Sequence, residues 1–128
     1  MPHIQRRILV VEDDSYSRDL MVSILTFHGY ETYRATNGRQ AVEVARLQCP
    51  DLIMMDISMP IQNGLDATRE IKRDPRLNHI PVIAMSAYDA REDEKEAYSA
   101  GCVAFLSKPL ELFRLKERIE AIFMAAAA

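Results

Sequence analysis

Three short runs of large apolar residues admit very few architectures: Ile8-Leu9-Val10-Val11, Leu52-Ile53-Met54-Met55 and Val82-Ile83-Ala84-Met85. None alternates apolar with polar positions, so none suits a sheet that keeps one face in water. Unbroken apolar runs of this length read as strands buried on both faces. Such a sheet needs helices above and below it, and the segments between the runs are long enough to supply them. No apolar run exceeds four or five residues, so nothing here spans a membrane as a helix.

Taken in order, the first strand, 8–11, ends in Glu12-Asp13-Asp14. Asp14 or Ser15 can cap the helix that follows, which carries Leu20, Met21, Ile24, Leu25 and Phe27 and stops at Gly29. Residues 31–35 form a second strand, polar enough to lie at a sheet edge. Asn37-Gly38 turns into a helix over 39–48, with Ala41, Val44 and Ala45 inward, and Pro50 breaks it. The central strand runs 52–55 into Asp56, and Ser58, Met59 and Pro60 turn the chain away. Asn63-Gly64 starts a third helix to residue 73, with Leu65, Thr68 and Ile71 on one face. A fourth strand over 81–85 ends in Ser86. The fourth helix, 89–100, is thinly apolar and charged, and Gly101 closes it. A fifth strand over 102–106 precedes Ser107-Lys108-Pro109. The last helix, 111–124, aligns Leu112, Leu115, Ile119 and Ile122. Five strands alternating with five helices predict right-handed crossovers and a doubly wound, five-stranded parallel α/β sheet.

A net charge of −3 argues against a nucleic-acid-binding surface. Cys49 and Cys102 stand in no metal spacing and read as reduced, buried or half-buried thiols of a cytosolic protein. His3, His28 and His79 are scattered. The seven methionines, Met54, Met55 and Met85 among them, read as core filler.

What gathers past the strand ends is more informative. Glu12 and Asp13 follow the first strand, Asp56 the third, Ser86 the fourth and Lys108 the fifth. Each alone is an ordinary turn or helix-entry residue. In an open parallel sheet, however, ligands bind outside the carboxyl ends of the strands. Three carboxylates there cannot all stay ionised without a counter-charge. Mg2+, a hard cation that keeps several waters, suits such a site, and a lysine adds a second positive charge. Metal, ammonium and hydroxyl together make a cradle for a phosphoryl group, with a carboxylate as its nucleophile.

Leu-Val-Val-Glu12-Asp13-Asp14, Met-Met-Asp56-Ile-Ser-Met-Pro60 with Gly64, Ala-Met-Ser86-Ala, and Ala-Gly101 leading to Ser-Lys108-Pro109 occur in this order. With that set the chain resembles the receiver domain of two-component response regulators, over residues 6–124, with 125–128 an alanine-rich tail. The resemblance implies a flavodoxin-like (βα)5 fold with strand order 2-1-3-4-5. It implies that Asp56 accepts phosphoryl from a phosphohistidine on a histidine kinase or histidine phosphotransfer protein. Asp13 and Asp56 would ligate Mg2+ directly, Glu12 through water, and Ser58 by its backbone carbonyl. Lys108 would pair with a phosphoryl oxygen, with a cis peptide bond to Pro109. Ser86 would move onto the phosphoryl group, and Phe105, where relatives often carry Tyr, would turn inward as the aromatic switch. Ser58 and Tyr88 would flank the path of hydrolytic water, with bulky Tyr88 slowing loss of the phosphoryl group.

The expected role is a cytoplasmic phosphorelay switch that catalyses only its own phosphorylation and dephosphorylation. With no room for an output domain after residue 124, it would bind a protein target through the fourth helix, fifth strand and fifth helix, or pass the phosphoryl group on as an intermediate in a phosphorelay. It would be a monomer or a weak phosphorylation-dependent dimer, without nucleic-acid or membrane partners. One alternative is a receiver excised from a longer hybrid kinase or multidomain regulator. A rival from another class is a Mg-dependent aspartyl phosphohydrolase. Such enzymes place a second acid two residues after the nucleophile, where this chain has Ser58.

Overall fold

The computed structural model describes residues 5–59, 63–87 and 90–127. The elements alternate throughout: β1 (Arg7–Val11), α1 (Ser15–Phe27), β2 (Glu31–Ala35), α2 (Gly38–Gln48), β3 (Leu52–Asp56), α3 (Gly64–Arg73), β4 (Val82–Ser86), α4 (Ala90–Ala100), β5 (Ala104–Ser107) and α5 (Leu112–Ala127). All strand pairs are parallel and the sheet order is β2-β1-β3-β4-β5. This is the doubly wound five-stranded α/β sheet with the 2-1-3-4-5 order that the sequence pattern and resemblance imply.

Every residue of β3 and β4 is buried, which is why their sequences do not alternate. Side chains pointing to one face, including Val10, Met54 and Met85, pack with Leu25 of α1 and Leu115 and Ile119 of α5. Those pointing to the other face, including Leu9, Ile53 and Met55, pack with Ala41 of α2, Ile71 of α3 and Ala97 of α4. The three methionines named above are core, as their apolar setting indicates. Strand β2 buries only Ala35 and forms one edge.

Three details depart from the sequence reading. In α1 the buried positions are Met21, Val22 and Leu25, while Leu20 and Phe27 face solvent. At about 100° per residue, Leu20 and Phe27 fall on the far side of a helix centred on those three. Strand β5 begins at Ala104 and not at 102, because Gly101 and Cys102 are taken up in ending α4. Gly101 has φ +113 and donates to Tyr98, and Cys102 donates to Ala97, a Schellman stop. Cys49 is exposed at the end of α2; only Cys102 is buried. The proposed start of the fourth helix at Asp89 lies outside the described residues, and α5 continues through Ala127.

Candidate functional site

Parallel pairing in register brings the strand ends level. Val11 pairs with Met55, Asp56 with Met85, and Ser86 with Ser107. Glu12, Asp56, Ser86 and Lys108 therefore meet at one sheet edge as a consequence of register alone. Helix starts frame that edge. Asp14 caps α1 by accepting from the Ser17 amide, and Asn63 caps α3 by accepting from the Asp66 amide. Helix α3 begins almost against Asp56: a Cβ on Gly64 would lie 2.4 Å from the Asp56 carbonyl oxygen and 2.7 Å from Met55 Cγ. Glycine is the only residue that lets the backbones approach so closely.

Asp56 is 2% exposed and both of its carboxylate oxygens are hydrogen-bonded. Oδ1 accepts from the Ser58 amide at 2.8 Å and the Ser58 hydroxyl at 2.7 Å. Oδ2 accepts from Lys108 Nζ at 3.0 Å, and the same ammonium donates to Glu12 Oε2 at 2.6 Å. Glu12 is 3% exposed, whereas Asp13 lies open to solvent beside them. One oxygen from each of Glu12, Asp13 and Asp56 can be chosen so that all lie within 4.8 Å of one another.

The electrostatics separate the two buried acids. Burial pushes the Glu12 carboxyl up to about 7, with the Asp56 charge adding to the effect and Lys108 opposing it. Burial acts in the same direction on Asp56 but is outweighed by the Ser58 hydroxyl and amide and by Lys108, so its carboxyl lies below the usual range. Burial alone would lower the Lys108 ammonium, and the two carboxylates hold it above its ordinary value. One ammonium thus serves two acids, and Asp56 is the one kept ionised. The counter-charge that three carboxylates demand is partly built into the chain as Lys108.

The other expected site residues are also placed. Ser86 is fully buried at the end of β4, and its hydroxyl donates to Asp93 of α4. Phe105 is packed inward within the core of the α2, α3 and α4 face. The Lys108-Pro109 peptide is cis. Pro60 and Tyr88 lie outside the described residues. Two features were not foreseen. Ser58, expected to offer its carbonyl to the metal and to flank the path of hydrolytic water, also holds Asp56 through its amide and hydroxyl; the turn position two residues past the acid was its only signal. Asp93 reads in the sequence as one more acid in the first turn of a charged helix, and only its contact with Ser86 sets it apart.

Comparison with known proteins bears on this geometry. The sequence family described as response regulator receiver domain matches residues 8–120. The chain belongs to that family. The receiver is 40% identical over 115 residues to the polar-differentiation response regulator DivK of Brucella anthropi, covering 90% of this chain and 94% of that protein. It is similar in structure to the receiver domain of a sensor histidine kinase from Pseudomonas aeruginosa PAO1, which has a magnesium ion coordinated in its active-site cleft. That match has 30% identity, a TM-score of 0.85, and covers 92% of this chain and 97% of the other. A signal receiver domain of a histidine kinase from Syntrophus aciditrophicus matches at 32% identity and a TM-score of 0.86, covering 94% and 91%. In this receiver, the exposed Asp13 oxygen beside the two buried acids is an arrangement a hard divalent cation fits: all-oxygen donors, net negative charge, and an open side for retained waters. Among the described residues, no helix is long and apolar enough to cross a membrane.

Proposed function

We propose that this receiver is a phosphorylation-activated switch whose acceptor is Asp56. The observation that carries the reading is the state of that carboxylate: buried, kept ionised, and fixed by Ser58 on one oxygen and Lys108 on the other. An Asp56 oxygen forms the new P–O bond while the P–N bond to a donor histidine breaks, and the electron pair leaves with the imidazole nitrogen. Glu12, Asp13, Asp56 and the Ser58 carbonyl would hold Mg2+, which supplies neutralisation of charge on the phosphoryl oxygens. Lys108 is placed to turn from Asp56 to a phosphoryl oxygen. Ser86 donates to another, and Phe105 follows by repacking, since it has no hydroxyl to display.

The donor is a phosphohistidine on a histidine kinase or phosphotransfer protein. A cleft of about 430 Å³ opens beside Glu12 and Lys108, lined by Leu20, Met21, Pro109, Leu110 and Leu112, and suits apolar side chains of that donor. The output surface is α4, β5 and α5, where Tyr98 of α4 and Val103, just before β5, are exposed. The setting is the cytoplasm. The same chemistry would serve a receiver inside a longer kinase, and the two solved relatives named above are receiver domains of histidine kinases. A phosphohydrolase is disfavoured because Ser58 lacks the acidity to protonate a leaving group and its proton is already directed at Asp56. Phosphoryl transfer from a labelled histidine phosphotransfer domain tests the reading. Label should move to the parent in Mg2+ and not to Asp56→Asn; equal labelling of both would remove Asp56 as acceptor.

A further inference from the structure

Helix α4 is fastened to the rest of the fold unevenly. Its carboxyl end is fixed by the Gly101-Cys102 stop. Its described buried side chains are only Ala97 and Ala100, both small and both in the second half of the helix. At the amino end the fastening is polar: the hydroxyl of fully buried Ser86 donates to Oδ2 of Asp93, seven residues downstream. Asp93 is half-buried, whereas Glu92 and Glu94 on either side of it are exposed.

A serine hydroxyl has one proton to donate. It cannot donate to Asp93 and to a phosphoryl oxygen on Asp56 at once. We propose that Asp93 is a latch that holds Ser86, and through it the amino end of α4, in the resting position, and that a phosphoryl group on Asp56 acts by taking this proton from Asp93. The inference rests on the reading of Asp56 as phosphoacceptor and adds the contact against which activation competes. Breaking one hydrogen bond then does two things together: it gives the phosphoryl group a donor and removes a polar tie between β4 and the first half of α4. Because the two states differ in this bond, Asp93 sets the resting population of the active form. By linkage, a partner that binds the released helix makes Asp56 easier to phosphorylate.

The test uses Asp93→Ala, Ser86→Ala and the double variant, with Glu92→Ala as a control that removes a neighbouring carboxylate from the same helix turn. In the unphosphorylated protein, Asp93→Ala should speed amide hydrogen exchange in the first turn of α4, and Glu92→Ala should not. With acetyl phosphate and Mg2+, Asp93→Ala should take up phosphoryl about fivefold faster than the parent, the weight of one ordinary hydrogen bond. In the Ser86→Ala background the same substitution should change neither readout, because the bond is already gone. If Asp93→Ala behaves like Glu92→Ala, or its effects add to those of Ser86→Ala, the latch is wrong. If the parent takes up no phosphoryl, the acceptor reading fails and the latch falls with it. Normal uptake by the parent with additive variants overturns the latch alone.

Discussion

At the scale of single residues, the decisive fact is that Glu12 and Asp56 are buried with one ammonium between them. Folding brings Glu12 from an ordinary carboxyl near 4.5 to about 7, so between those values the folded protein binds more protons than the unfolded one. Without metal, the contribution of Glu12 to stability is then fully present below about 4.5 and is lost as pH rises through about 7. Urea melts in EDTA at pH 5.5 and 8 should show that loss in the parent and much less of it in Glu12→Gln. Equal slopes would mean that Glu12 does not carry the burial cost. Asp13 is exposed, so its neutralisation relieves less repulsion than that of Glu12. The acids at the strand ends were legible in the sequence because register alone gathers them. Their division into two buried groups and one open one was not, since it depends on where α1 and α3 begin. The roles of the Ser58 hydroxyl and of Asp93 were equally hidden, because each is made by a single tertiary contact.

At the scale of elements, Gly64 brings α3 against β3. Alanine is the better helix former by about 1 kcal/mol. Here its Cβ would meet backbone at 2.4 Å, and the clash should win. Gly64→Ala is expected to cost about 2 kcal/mol in urea melts and to lower phosphoryl uptake by displacing Asp56. A more stable variant would show that α3 can shift freely. By contrast Asp14→Ala removes only a cap and should lower the urea midpoint less than Gly64→Ala does. Strand identities could be read from the sequence because strands buried on both faces leave unbroken apolar runs. The inward face of α1 could not, since Leu20 and Phe27 are as apolar as Met21 and Leu25 yet stand outside the packed stripe. The start of β5 was misplaced for a different reason: the Schellman stop draws in Gly101 and Cys102, which by composition alone extend the strand.

At the scale of the whole molecule, the fold is a two-sided core with an acidic edge at the strand ends and a helix, α4, whose described buried side chains are Ala97 and Ala100. The core makes its own prediction. Burial pushes the Cys102 thiol up to about 11, while Cys49 is exposed, so iodoacetamide at pH 8 should modify the folded protein once, at Cys49, and a second time only in denaturant. Rapid double modification would mean the face packed by α2, α3 and α4 opens readily. The chemistry of the edge can be tested without any partner protein. Intact mass is measured after treatment with phosphoramidate, with Mg2+ or with EDTA, for the parent and Asp56→Asn. The parent should gain one phosphoryl group in Mg2+ and little in EDTA, and Asp56→Asn should gain none while keeping the far-UV circular dichroism of the parent. Uptake that ignores Mg2+, or that survives in Asp56→Asn, would contradict the assignment of Glu12, Asp13, Asp56 and Lys108 to one phosphoacceptor site.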